Sequence, residues 1–114
     1  MKIYEYKNCG TCRQALKFLT ARGVNFTTIP IREQPPSAAE LKRMLEVYGG
    51  DLRKLFNTSG QDYQRLKLKD RIAAMTAAEA IQLLSSNGNL VRRPFVVTAR
   101  GGAVGFKEEE WGKL

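Results

Sequence analysis

The chain has 114 residues, 43% of them hydrophobic and 26% charged, with 19 Lys and Arg against 11 Asp and Glu and no His. That length fits one domain with a real core and excludes two. The composition excludes a low-complexity chain, and no apolar run approaches the roughly 20 residues of a membrane helix.

The net charge of +8 favours anionic partners. The basic residues, however, are spread from Lys2 to Lys113 without a dense block or a nucleic-acid-binding module, so no direct nucleic-acid binding is expected. Residues 1–6 alternate β-branched and aromatic side chains with charged ones, predicting a strand that opens the chain with no signal segment. A cytoplasmic protein is expected. In that reducing compartment a paired Cys motif is catalytic, redox-sensing or metal-binding rather than a lasting structural disulfide.

That motif follows at once. Cys9-Gly10-Thr11-Cys12 holds the only two cysteines, and Ala15, Leu16, Phe18 and Leu19 then recur at helical spacing up to Gly23. The motif therefore opens a helix, where unpaired N–H groups and the helix dipole favour an anion such as a thiolate. Cys9 is the expected nucleophile, and Cys12, one turn on, the expected resolving thiol. Two other readings stand beside this one. C-x-x-C is half of a zinc site, which here needs a second chain because neither His nor a third Cys is present. Two buried structural thiols are the other, against which Gly10 and Thr11 suggest a polar, unburied junction.

Residues 24–29 alternate as a second strand, making a strand–helix–strand unit that predicts a parallel pair with its site at the strand's C-terminal end. Prolines 30, 35 and 36 break the pattern. Ser37 with Glu40 spells a capping box for a helix through about Val47, ended by Gly49-Gly50. A short helix over 51–56, an irregular helical stretch around Tyr63, Leu66 and Leu68, and a second capping box, Thr76 with Glu79, complete a helical insert over 37–87. Met44 and Met75 read as core filling. Leu90-Val91 is a possible start of the returning sheet, residues 95–98 are a clear strand, and residues 100–103 read as a turn into a strand at 104–106. Residues 107–111 close the chain as a helix with its acids in the first turn and Trp111 in the core. Pro94 must begin its strand, because it has no N–H to give the ladder. A cis bond before it fits a thioredoxin layout, in which that proline faces the C-x-x-C; a trans proline starting a strand is the alternative.

Cys9-Gly10-Thr11-Cys12-Arg13, Phe56-Asn57-Thr58-Ser59-Gly60 with Tyr63-Gln64-Arg65-Leu66, Arg92-Arg93-Pro94-Phe95 and Val104-Gly105-Phe106-Lys107 together resemble the arsenate reductase-like family, which includes the Spx regulators. The resemblance runs nearly end to end. It implies an α/β thioredoxin-like fold: a mixed four-stranded sheet flanked by helices, in a single domain over 1–114, with residues 1–30 and 90–114 as the core and 37–87 as an insert. It also implies Cys9, Cys12 and Arg93 as the reacting group, with Gly10, Thr11, Asn57, Thr58, Arg92 and Pro94 around the substrate. Glutathione, glutaredoxin or thioredoxin is the implied electron donor, with no bound cofactor or metal, and a monomer is expected. Arsenate reductases of the family hold the oxyanion with three arginines. Here Asn57 and Phe106 stand at two of those places and only Arg93 remains, so a dedicated arsenate reductase is not expected. Spx proteins share the C-x-x-C and the doubled arginine and bind the RNA polymerase α subunit, but they have a longer C-terminal extension than this chain, which stops at Leu114. A thiol-dependent oxidoreductase is the leading expectation and an Spx-like redox regulator the alternative.

Overall fold

A computed structural model describes residues 1–114, and a mixed four-stranded sheet organises it. Strand β1 (Lys2–Glu5) lies inside the sheet, parallel to β2 (Thr27–Pro30) on one side and antiparallel to β3 (Phe95–Thr98) on the other, and β4 (Gly101–Val104) completes the order β2-β1-β3-β4. Alternation along the strands divides the core between the two faces. Ile3 and Val96, partners in register, pack on one face with Ala15 and Leu19 of α1 (Gly10–Ala21) and with Trp111 of α6 (Glu108–Trp111). Tyr4, Phe95 and Val104 face the other way, into the larger cluster built with the helices of the insert. The α/β class and the flanked mixed sheet agree with expectation.

The insert begins with α2 (Ala38–Val47), whose N-terminus is closed by the Ser37–Glu40 capping box and whose Leu41, Met44 and Leu45 are buried. A 3-10 turn (Leu52–Leu55), α3 (Gln61–Arg65) and α4 (Leu68–Arg71) follow, and α5 (Ala77–Ser86) starts from the Thr76–Glu79 capping box. Both boxes are formed as the spacing predicts. Met44 is buried, and Met75 packs against the same cluster from its edge.

Three local expectations are corrected. The second strand begins at Thr27 rather than at position 24, because the Val24 N–H still caps α1 on the Leu19 carbonyl while Val24 and Phe26 pack on the smaller core. Leu90 and Val91 do not start the returning sheet. Leu90 ends a 3-10 turn (Gly88–Leu90), and Val91 makes only an isolated antiparallel bridge to Phe56. Finally, Gly101, Gly102 and Ala103 are strand rather than turn, and residues 105–106 lie beyond it. Gly102 is there because a Cβ at that position, at φ +143, would sit 1.8 Å from the Val96 carbonyl oxygen.

Candidate functional site

Cys9 is the N-cap of α1, in extended conformation, and its sulfur accepts the backbone N–H of Cys12 at 3.1 Å. The motif is anchored from both sides: the Cys9 N–H donates to the Tyr6 carbonyl at 3.0 Å, and the Arg13 guanidinium donates to the Lys7 carbonyl at 2.6 and 3.0 Å. The strand end and the first helical turn thus hold the Cys9 sulfur at the positive end of a 12-residue helix. Both thiols are free, and their surroundings differ. Cys9 is partly exposed, whereas Cys12 is fully buried. Burial pushes the Cys12 thiol up to about 12. Cys12 is therefore not at a polar, open junction as Gly10 and Thr11 suggested: its place in the first turn directs it inward beside Ala15 and Leu19, the other buried residues of the helix.

Cys9 opens into a cavity of about 470 Å³ together with Tyr6, Thr11, Asn57, Thr58, Ser59, Arg92, Arg93, Val104, Gly105, Phe106 and Lys107. Three cations and no carboxylate line it. Cys9, Thr11, Asn57, Thr58, Arg92 and Arg93 are thus brought together around one cavity. Gly10 and Pro94 do not line the cavity. Gly10 is exposed at the start of α1, and a Cβ there meets nothing within 4 Å. Pro94 is buried behind the wall, joined to Arg93 by a cis bond, with its carbonyl accepting the Gly105 N–H at 2.9 Å.

Arg93 is fixed by its own turn. Its Nη2 donates to the carbonyls of Gly88 (2.9 Å), Asn89 (3.0 Å) and Val91 (3.3 Å), and its Nε also reaches Val91, which leaves Nη1 unspent. Burial holds its guanidinium pKa below the usual value, while the Cys12 and Cys9 sulfurs pull it back up. The turn that supplies these carbonyls is itself clamped. One oxygen of the Asp62 carboxylate on α3 accepts the side-chain amides of Asn87 (3.1 Å) and Asn89 (3.3 Å), and the Asn57 N–H donates to the Leu90 carbonyl at 2.7 Å. The amide hydrogen bonds, Asn87 first, hold the Asp62 carboxyl below the usual carboxylate range. Arg92 is held more lightly, its Nε reaching the Phe56 carbonyl at 3.4 Å.

Sequence reasoning passed over Tyr6, Asp62, Asn87 and Asn89. Tyr6 read only as strand, yet its hydroxyl accepts from Arg32 (2.9 Å) and Asn8 (3.2 Å), and the donors, Asn8 first, draw its pKa down. Its position, three residues before Cys9 at a strand end, was the available signal. Phe106 forms the far wall and meets Trp111 edge-on at 5.3 Å, and the Trp111 indole N–H donates to the Gly105 carbonyl at 2.8 Å.

Comparison with known proteins places this geometry. The profile of the ArsC family matches residues 4–114. The uncharacterised protein YusI of Bacillus subtilis is 44% identical over 111 residues, covering 97% of this chain and 94% of that protein. An arsenate reductase of Escherichia coli is 31% identical, covering 87% of this chain and 69% of the enzyme. The global transcriptional regulator Spx of Streptococcus mutans is 28% identical, covering 90% and 74%. Among solved structures, a protein from Bacteroides fragilis described as ArsC family related superposes with a TM-score of 0.92 at 43% identity, covering 98% of this chain and 94% of that one.

Proposed function

The chain belongs to the ArsC family, and from that premise we propose that it is a cytoplasmic thiol-dependent oxidoreductase with Cys9 as nucleophile and Cys12 as resolving thiol. The observation that carries this reading is the contrast within the pair. One sulfur faces a cation-lined cavity at a helix start, and the other is buried and holds its proton. The Cys9 thiolate attacks one sulfur of a disulfide R–S–S–R′, forming Cys9–S–S–R and releasing R′–S⁻. The Cys12 sulfur then attacks Cys9, forming the Cys9–Cys12 disulfide, and the Cys12 proton leaves on the departing group as R–SH. Two electrons pass from the dithiol to the substrate, and an external thiol such as glutathione, or a thioredoxin or glutaredoxin, restores the pair. Arg93, with Nη1 free, stabilises charge on the exchanging sulfurs, and Arg92 and Lys107 raise the local anion concentration.

Disulfides suit this site better than arsenate does. Asn57 and Phe106 both line the cavity, at places where the resemblance calls for arginines, and neither can offer a bidentate guanidinium contact to an oxyanion. Single-turnover thiol release from a small disulfide by the reduced protein tests the reading. Cys9→Ser abolishes release, and Cys12→Ser stops after one thiol with the mixed adduct visible as added mass. Full release by Cys9→Ser overturns it.

A second reading is favoured by the relatives named Spx and regulatory protein MgsR, the latter aligning over 100% of this chain. In that reading the same thiol pair is a switch that alters the Arg92 surface and binding to the RNA polymerase α subunit. Capture of the α C-terminal domain in one redox state only, with no disulfide turnover, supports it; no capture in either state removes it.

A further inference from the structure

A second cavity, of about 360 Å³, adjoins the first and shares Tyr6, Asn57 and Arg93 with it. Its other lining residues are Arg32, Gly60, Gln61, Asp62 and Asn89. A molecule attached at Cys9 that extends past Tyr6 and Asn57 meets a pocket the thiol chemistry does not itself use. The two cavities differ in what they offer: the first has the sulfur, the second an exposed guanidinium on a fixed mount.

That mount is Tyr6. Arg32 lies 4.9 Å from the Tyr6 ring centroid and donates one Nη1 hydrogen bond to the Tyr6 hydroxyl, while Arg93 lies over the same ring at 5.8 Å. Two guanidiniums share one aromatic ring, each favoured by the ring's negative face. Arg32 forms no ion pair, since the two salt bridges of the chain are Lys2–Glu40 and Arg65–Asp62. The one acid in this cavity, Asp62, already accepts from Asn87, Asn89 and Arg65. Arg32 is thus an exposed cation with no anion in direct contact: the Asp62 carboxylate shares the pocket and feels its charge, but is bonded to Asn87, Asn89 and Arg65, and Asn57, Gln61 and Asn89 supply amides around it.

Resting on the oxidoreductase reading, we propose that the Arg32 cavity is the recognition arm of the thiol site and that the preferred substrates are disulfides carrying a carboxylate on the group attached to the reacting sulfur. Arg32 takes the carboxylate with the N–H groups not spent on Tyr6, and Asn57 and Gln61 face the amides of a peptide-like linker. The exchange is the one balanced above; Arg32 forms and breaks no covalent bond and acts by binding alone.

The test uses the disulfide of N-acetyl-Cys-Gly with free C-terminal carboxylates and the same compound amidated, so that charge is the only difference. Single-turnover thiol release is followed for the wild type, Arg32→Gln and Lys69→Gln, the last removing one exposed positive charge outside both cavities. The wild type prefers the carboxylate form by roughly tenfold, the value of one charge-assisted hydrogen bond at a partly exposed site. Arg32→Gln brings the ratio to near one by slowing the carboxylate form alone, and Lys69→Gln keeps the preference. A wild type without preference, an Arg32→Gln variant that slows both substrates equally or neither, or a Lys69→Gln variant that loses the preference equally overturns the proposal. Cys9→Ser, run in parallel, reports on the thiol chemistry separately. If it still releases thiol from the amide, the oxidoreductase reading fails whatever Arg32 does.

Discussion

The Cys12 N–H donates to the Cys9 sulfur across 3.1 Å, yet the two thiols meet different solvents: Cys9 is partly open to water and Cys12 is at 0% exposure. Iodoacetamide at neutral pH is accordingly expected to label Cys9 and to reach Cys12 only after denaturation, as read by peptide mass. The raised Cys12 value also sets a sign. An acid whose folded pKa lies above its ordinary value of 9.0 stabilises the fold fully below about pH 9, and that contribution disappears as pH climbs toward about 12. The stability gap between wild type and Cys12→Ala therefore narrows on going from pH 7 to pH 11 in denaturant titrations. A gap that is constant with pH is the contrary result.

Asp62 is linked to Arg93 through the turn at Asn87–Asn89. The Asp62 carboxylate holds Asn87 and Asn89, and the turn between them supplies two of the carbonyls that fix Arg93. Asp62→Ala is expected to lower single-turnover thiol release several-fold. In an Arg93→Gln background the same change has little further effect, because the group it positions is gone. Equal losses in both backgrounds refute the relay.

Gly88 is the tightest point in that turn. A Cβ on it would lie 1.8 Å from the Ile31 carbonyl oxygen and 2.8 Å from the Ile31 carbonyl carbon, both backbone atoms that cannot swing aside. Gly88→Ala should destabilise the fold by about 3 kcal/mol, measured as a lower denaturant midpoint, and should slow thiol release by shifting the carbonyls around Arg93.

Glu40 ties the sheet to the insert. Its carboxylate accepts the Tyr4 hydroxyl at 2.6 Å and the Ser37 N–H at 3.0 Å, and meets the Lys2 ammonium at 2.7 Å. Burial pushes this carboxyl up, but Lys2 and Tyr4 together pull harder, so its folded pKa lies below the ordinary 4.5. A depressed carboxyl contributes stability above about pH 4.5 and loses it as pH falls through the folded value. Glu40→Gln is expected to cost about 1 kcal/mol at neutral pH and to lose less than the wild type on acidification to pH 3.

Much of this fold could be read from residues that act locally. Ser37 with Glu40 and Thr76 with Glu79 announce their helices because a capping box needs only residues three apart, and Cys9 announces its place because the motif begins where the apolar helical period begins. Gly101 and Gly102 misled because glycine serves turns and close strand approach alike, and only the position of the Val96 carbonyl decides between them. Gly10 and Pro94 were drawn into the site by their neighbours in sequence, while the chain directs one outward and the other behind the wall. Asp62, Asn87 and Asn89 were invisible for a different reason: 25 and 27 residues separate the partners, and no local pattern records a meeting set by the docking of α3 on the Gly88–Leu90 turn.

Trp111 is the sole tryptophan of the chain. Its indole is joined to the Gly105 carbonyl and set against Phe106, two groups that also bound the Cys9 cavity. Emission from this protein excited at the red edge is thus a single-source optical signal originating behind the wall of the cavity into which the exchanging sulfur opens. Oxidation and re-reduction of the pair can be timed by stopped-flow fluorescence on the unlabelled wild type, without a dye that would itself consume thiols.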